Sequence, residues 1–303
     1  MSDLFTATTA AEVESLIAST GDDVDSYEEP FGWTIRKTPL ISAIKRGLPE
    51  VVDCLLNHGA NVERYFGRVV AIHVAAQEGQ ADILERLVKA GADINDTRGG
   101  NVSSPLSIAS QMGHVDVVDR LLSLGADVNI KNSFGVTALM LASGSGRIDV
   151  VDRLLAAGSE VNIIANDGIS ALMMAAADGF LPIIDRLVVH GAEINVQNKF
   201  GWNALMEACK KGRIDVVDRL LSLSCDVDAQ DQDGETALMK ACFEERIDIV
   251  RLLLDHGADP LIQDRNEQRA IDLSAWSAEI QTLLNGLILL SFHHHHHHHH
   301  HVP

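Results

Sequence analysis

The feature that most restricts this chain is that it repeats itself about every 33 residues. The segments TPLISAI, VAIHVAA, SPLSIAS, TALMLAS, SALMMAA, NALMEAC and TALMKAC place Leu40, Ile72, Leu106, Leu139, Leu172, Leu205 and Leu238 at steps of 32, 34, 33, 33, 33 and 33. Ile271, within Arg269-Ala270-Ile271-Asp272-Leu273, lies a further 33 on. A second string of the Gly-Ala-Asp-Val-Asn type recurs at Gly59, Gly91, Gly125, Gly158, Gly191 and Gly257, with Ser224 in the sixth place. Two anchors in one phase mark a stack of equal supersecondary units, which grows along one axis without needing a second core.

Local chemistry accounts for each unit. In the fourth copy, Thr137 is placed to accept backbone N–H bonds at a helix start, with Leu139 and Ala142 on the inner face of that helix. Pro39 and Pro105 fit the first turn of the equivalent helices, where no N–H bond is lost. Past Gly146, the residues Ile148, Val151, Leu154 and Leu155 recur at helical spacing along a second helix, which Gly158 closes. Segments such as Ile163 to Gly168 read as an extended finger with a turn at its tip.

These strings resemble the ankyrin repeat, whose Thr-Pro-Leu-His-x-Ala and Gly-Ala-Asp-Val-Asn elements are matched from about residue 34 to 274, with Ala often replacing Pro and Met often replacing His. The resemblance implies an all-α repeat: an ankyrin-like solenoid of stacked helix-turn-helix units with β-hairpin-like fingers. The 32 and 34 steps place a deletion and an insertion at the tips near Tyr65 and Gly99, where loops tolerate them. The expected organisation is an N-terminal capping repeat over 1–33, seven repeats over 34–268, a degenerate C-terminal capping repeat over 269–286 and a tail over 287–303. Leu4 to Ile17 reads as the first cap. Trp276, Ile280, Leu283 and Leu284 read as the cover of the last exposed face.

A balance of 24 Lys+Arg against 43 Asp+Glu gives a formal charge of −19, the wrong sign for phosphate backbones or anionic lipid surfaces. No basic apolar leader opens the sequence, and no apolar run reaches the roughly 18–20 residues of a membrane span. The expectation is a cytoplasmic or nuclear monomer that binds neither nucleic acid nor membrane.

Residues that could carry chemistry read as structural. His58, His190 and His256 precede closing glycines, His73 takes the Thr-Pro-Leu-His place, and His114 follows a helix-ending glycine. Equivalent positions in stacked units lie about 10 Å apart, too far to share a metal, so no metal site or cofactor is expected. Cys54, Cys209, Cys225 and Cys242 form no CxxC pair and read as reduced core thiols. Asp82 and Arg86, Asp116 and Arg120, Asp149 and Arg153, and Asp215 and Arg219 read as acid-to-base pairs four apart on second helices. Met140, Met173, Met206 and Met239 form a ladder assigned to packing between helices. The run His293 to His301 reads equally as a purification tag or a native tract.

The resemblance implies that partners meet the finger tips and the adjoining inner helices, so the informative positions are those the repeat leaves free. At the tips these are Tyr65 and Phe66, Phe134 and Val136, Ile169, Phe200 and Trp202, then polar Gln232, Asp233 and Glu235. On the inner-helix ends they include Met112, Lys210, Lys211 and Phe243. Large aromatics of this kind anchor interfaces, and a groove centred on repeats four to six is expected, with Lys210 and Lys211 meeting acidic groups. No phosphate loop, nucleophile elbow or metal motif points to catalysis.

The reading is therefore a non-catalytic scaffold or adaptor for a protein or peptide. The alternative is a substrate-recognition or regulatory subunit of a larger complex such as a ubiquitin ligase, although too few residues follow Asn285 for a family-typical recruitment box of about 40. Ser224 and Glu245 stand where glycines normally end the two helices, so the junction of repeats six and seven is expected to be strained.

Overall fold

The computed structural model describes residues 3–27, 38–64, 70–99 and 104–299; Tyr65 and Phe66 lie outside these. Its contacts divide the chain into two compact units, Met1–Glu160 and Val161–Pro303. Seventeen α-helices and one isolated bridge, Ile164 to Ser170, are the regular structure among the described residues. This is an all-α repeat solenoid whose fingers are tight turns rather than extended hairpins.

In the first unit, α1 (Ala10–Thr20) is followed by the pairs α2 (Pro39–Arg46) and α3 (Pro49–Asn57), α4 (Ala71–Gln77) and α5 (Ala81–Lys89), α6 (Pro105–Met112) and α7 (Val115–Ser123), and α8 (Ala138–Gly144) and α9 (Ile148–Ala156). Inner helices α2, α4, α6 and α8 stack in one row and α1, α3, α5, α7 and α9 in the other. The second unit contains α10 (Ala171–Asp178) and α11 (Leu181–Val189), α12 (Ala204–Lys211) and α13 (Ile214–Ser222), α14 (Ala237–Phe243) and α15 (Ile247–Asp255), then α16 (Ala270–Leu273) and α17 (Ala278–His299). Its rows are α10, α12, α14, α16 and α11, α13, α15, α17.

Each inner helix starts where the sequence supplies a cap. Thr38, Ser104, Thr137, Ser170, Asn203 and Thr236 accept the backbone N–H of Ile41, Ser107, Met140, Met173, Met206 and Met239. Val70 has no such oxygen, and His73 does the work differently: its Nδ1 accepts the Val70 N–H at 3.3 Å while Nε2 donates to the Asp96 carbonyl at 2.8 Å. The Met140, Met173, Met206 and Met239 ladder is buried, as packing requires.

Three bonding series tie neighbours together. The Asn or Asp ending each Gly-Ala-Asp-Val-Asn string accepts a backbone N–H of the next repeat: Asn95 from Asp127, Asn129 from Glu160, Asn162 from Glu193, Asn195 from Asp226 and Asp228 from Asp259. At four inner-helix turns the residue that follows caps the preceding inner helix: His114 on the Gln77 carbonyl, Arg147 on Gln111, Arg213 on Ala177 and Arg246 on Lys210. His114 thus has the structural role its position implied.

The third series corrects the expected pairs within single helices. Arg86 meets Asp53, Arg120 meets Asp82 at 3.1 Å and Glu85 at 2.5 Å, Arg153 meets Asp119 at 2.5 Å, and Arg219 meets Asp185 at 2.7 Å. Outer helices pack about 10 Å apart, within reach of a guanidinium, so the long arm bridges to the preceding repeat. Such exposed pairs contribute at most about 1 kcal/mol each and chiefly fix register.

At the carboxyl end Ile280 and Leu284 are fully buried, as expected of a cover, and Leu283 is half-buried. Trp276 is 92% exposed and covers nothing, because it stands in the turn between α16 and α17 rather than on a packed helical face. No helix among the described residues is long and apolar enough to cross a membrane.

Candidate partner-binding site

The fingers of the second unit are built by one device. Asn198 Oδ1 accepts the N–H groups of Phe200 and Trp202, Asp231 Oδ1 those of Asp233 and Glu235, and Asp264 Oδ1 those of Asn266 and Gln268. Backbone bonds then join tip to tip, Lys199 N–H to Asp167 O, Gln232 N–H to Phe200 O and Arg265 N–H to Asp233 O. The tips pack so closely that a Cβ on Gly201 would stand 2.8 Å from Asp231 Cα, and its φ of +80° already requires glycine. The side chains of residues 200 and 202 are therefore carried on a rigid rail.

Trp202, closing its finger just before α12, is half-buried and faces two ammonium groups. Lys240 Nζ lies 4.0 Å from the ring centroid and Lys210 Nζ 5.3 Å. Lys240 is almost wholly buried and also reaches Asp231 Oδ2 at 2.6 Å and Glu235 Oε1 at 2.8 Å. Its charge is thereby satisfied, whereas Lys210 is an exposed residue of the cleft. Trp202, Lys210, Glu235, Met239, Lys240, Phe243 and Glu244 line a cleft of about 210 Å³. Phe243, at the end of α14, is 69% exposed. Beside the cleft, burial pushes the Glu207 carboxyl above its ordinary range, an effect opposed by Lys210, Lys211 and Lys240.

The structure thus brings together four of the residues singled out in the sequence as free for a partner: Trp202, Lys210, Glu235 and Phe243. Lys211 is exposed but does not line the cleft, and Phe200 is exposed with Lys199 Nζ 5.0 Å from its ring. Ile169 is half-buried in the same unit. Phe134 and Met112 are exposed and Val136 half-buried in the first unit. Lys240 and Asp231 were missed. A signal existed: Lys240 and, one repeat earlier, Glu207 occupy the inner-helix position that holds Leu141 and Met174, and charges breaking an apolar column need partners.

Compared with known proteins, the chain matches the sequence model of a family described as ankyrin repeats (3 copies), over residues 6–98, 72–167 and 172–264. It is similar to ankyrin repeat and SOCS box protein 6 of Pongo abelii, 39% identical over 71 residues, 23% of this chain and 17% of that protein. The Homo sapiens protein of the same name is 38% identical over 71 residues, with the same shares. The alignment thus spans under a fifth of these relatives' length.

Proposed function

Because the chain belongs to the ankyrin-repeat family, a family of protein-binding scaffolds, we propose that it is a non-catalytic scaffold or adaptor. We place its partner site on the finger tips and inner-helix ends of repeats six and seven. The observation that carries this placement is the cleft where an exposed Phe243, a half-buried Trp202 and an exposed Lys210 converge. Aromatic faces of this kind anchor an apolar side chain of a partner, and the exposed Lys210 favours a carboxylate next to it. Lys211 extends the same preference along α12. Phe200 and Ile169, in the same unit, offer further contact area on the tips for a protein larger than a short peptide, and Phe134, Val136 and Met112 are separate candidate contacts on the first unit.

Affinity purification from native lysate, quantified by mass spectrometry, tests the placement. A partner held by wild-type protein is expected to bind about 30-fold more weakly to Trp202→Ala/Phe243→Ala, the equivalent of about 2 kcal/mol. Equal recovery by both proteins, with unchanged circular dichroism, refutes it.

A second reading has a specific observation behind it. The likeness to proteins whose name includes a SOCS box favours a role as the recognition subunit of a larger complex, such as a ubiquitin ligase. Co-purification of a ligase core with the chain would establish that role, and it would use the same cleft.

A further inference from the structure

Away from that cleft, and independent of its assignment, α1 and α3 bring together three side chains of different chemistry. Cys54 and His58 lie four apart at the end of α3, and Glu14 comes from α1. Glu14 Oε1 is 3.5 Å from His58 Nε2 and 3.8 Å from Cys54 Sγ, and all three donor atoms fall within 4.8 Å of one another. The Cys54 sulfur also points at the Ala10 carbonyl at 3.6 Å. We propose that Glu14, Cys54 and His58 form a zinc site that fastens the capping helix α1 to the first full repeat.

Two departures from the repeat support this. Cys54 takes the place of Arg86, Arg120, Arg153 and Arg219, whose guanidinium groups carry a positive charge to an acid of a neighbouring repeat. Here the acid, Glu14, is retained and the cation is missing. Thiol and carboxylate face each other at 3.8 Å, with the thiol proton standing where other repeats place a guanidinium. A divalent cation displaces that proton to solvent and satisfies both anions.

His58 is the second departure. His190 and His256, at the same repeat position, hold the carbonyls of Arg186 and Leu252 through Nδ1, both at 2.9 Å. His58 turns Nε2 toward Glu14 instead.

The donor set selects the metal. One sulfur, one imidazole nitrogen and one carboxylate oxygen suit Zn²⁺ and exclude Ca²⁺ and Mg²⁺, which take oxygen. With bond lengths of about 2.0–2.3 Å, tetrahedral Zn²⁺ needs donor separations of roughly 3.3–3.5 Å. The observed 3.5 and 3.8 Å to Glu14 require only a small contraction, and the Cys54 and His58 donors, within 4.8 Å of each other, close on the ion by side-chain rotation. The Glu14 and His58 side chains are 69% and 34% exposed, so the ion can enter and a water can complete the tetrahedron. Val13 is the one fully buried residue recorded for α1, so a clamp at this point contributes stability that the apolar contact area does not supply.

Cobalt substitution in the reduced, chelator-treated full chain tests the site. Co²⁺ is expected to produce a thiolate-to-metal charge-transfer band that rises to a plateau of one thiolate site per chain, the histidine tract taking up further ion, and is abolished by excess Zn²⁺. The histidine tract contributes nothing to this band because it carries no sulfur. Cys54→Ser should remove the band with unchanged circular dichroism. Should that variant not fold, His58→Ala, at an exposed cap, decides the matter: a loss of at least ~10-fold in Co²⁺ affinity is expected. No band in the wild type, a band retained in Cys54→Ser, or unchanged affinity in His58→Ala overturns the proposal.

Discussion

The Lys240 ammonium offers the sharpest test of how repeat seven is held. Its Nζ bonds Asp231 and Glu235 and lies over Trp202, with its side chain 6% exposed and that of Asp231 1% exposed. Replacing Lys240 by Met leaves Asp231 Oδ2 buried without its cation, while Oδ1 keeps the N–H groups of Asp233 and Glu235. Glu235 is 31% exposed and can rehydrate, so the cost rests on one carboxylate oxygen and belongs at the low end for a broken buried pair, about 3 kcal/mol. The structure also names the rescue. Asn198 makes the same two backbone bonds through Oδ1 one repeat earlier, without a buried lysine above it. Asp231→Asn/Lys240→Met should therefore return to within about 1 kcal/mol of wild type. Urea unfolding followed by circular dichroism would read the single variant as a drop of about 1.5 M in midpoint at a slope near 2 kcal/mol/M. Amide exchange at Asp233 and Glu235 would localise the loss to the finger. A double variant no more stable than the single one would refute the assignment of the cost to an uncompensated carboxylate.

Two other outcomes follow from the geometry. Ser224 and Glu245 are held at φ of 58° and 55°, conformations that cost an L-residue about 1 kcal/mol each, less the chain entropy glycine loses on folding. Ser224→Gly/Glu245→Gly should raise the urea midpoint modestly and slow exchange between 224 and 246; a lowered midpoint would contradict the strain. Asp96 is buried, which by itself raises its carboxyl, yet bonds from the Arg98 side chain and backbone, with His73 and the Arg98 charge, outweigh this and hold it below the ordinary 3.8. A depressed carboxyl stabilises the fold above its unfolded pKa and loses that contribution as pH falls through the folded value. Stability should thus fall more steeply below about pH 4 in wild type than in Asp96→Asn, and equal slopes would remove Asp96 from the acid response.

What the sequence disclosed was whatever recurs within one repeat. Thr137 announced a helix start, and Ser224 and Glu245 announced left-handed helix ends, because each depends on bonds a few residues away. Glu267, at φ of 60°, escaped notice because it sits in a finger whose counterparts in the preceding repeats, Gly234 and Gly201, are spaced from tip residues rather than helix ends. The arginine pairs were misread for a related reason. Asp116 and Arg120 are four apart and satisfy the local rule, but a guanidinium on a stacked helix also reaches acids some 33 residues away, and those pairs formed.

The two candidate sites share a logic that follows from this distinction. In a stack of equivalent units, a column of like residues is consumed by packing and register, as Met140 and Arg153 show. A residue that breaks its column is under no such demand, and its neighbours change with it. After Leu141 and Met174 the column turns charged at Glu207 and Lys240, and Lys240 draws Asp231, Glu235 and Trp202 into one charged, aromatic wall. Cys54 interrupts the arginine series and leaves Glu14 facing a thiol beside a reoriented His58. Equivalent positions in successive repeats stand too far apart to share a ligand, which argued against any metal site. That limit does not apply where an i, i+4 pair on one helix meets a non-equivalent residue of a cap. Chemistry in such a fold is therefore to be sought where the period fails, at caps and at broken columns, as at Lys240 and Cys54.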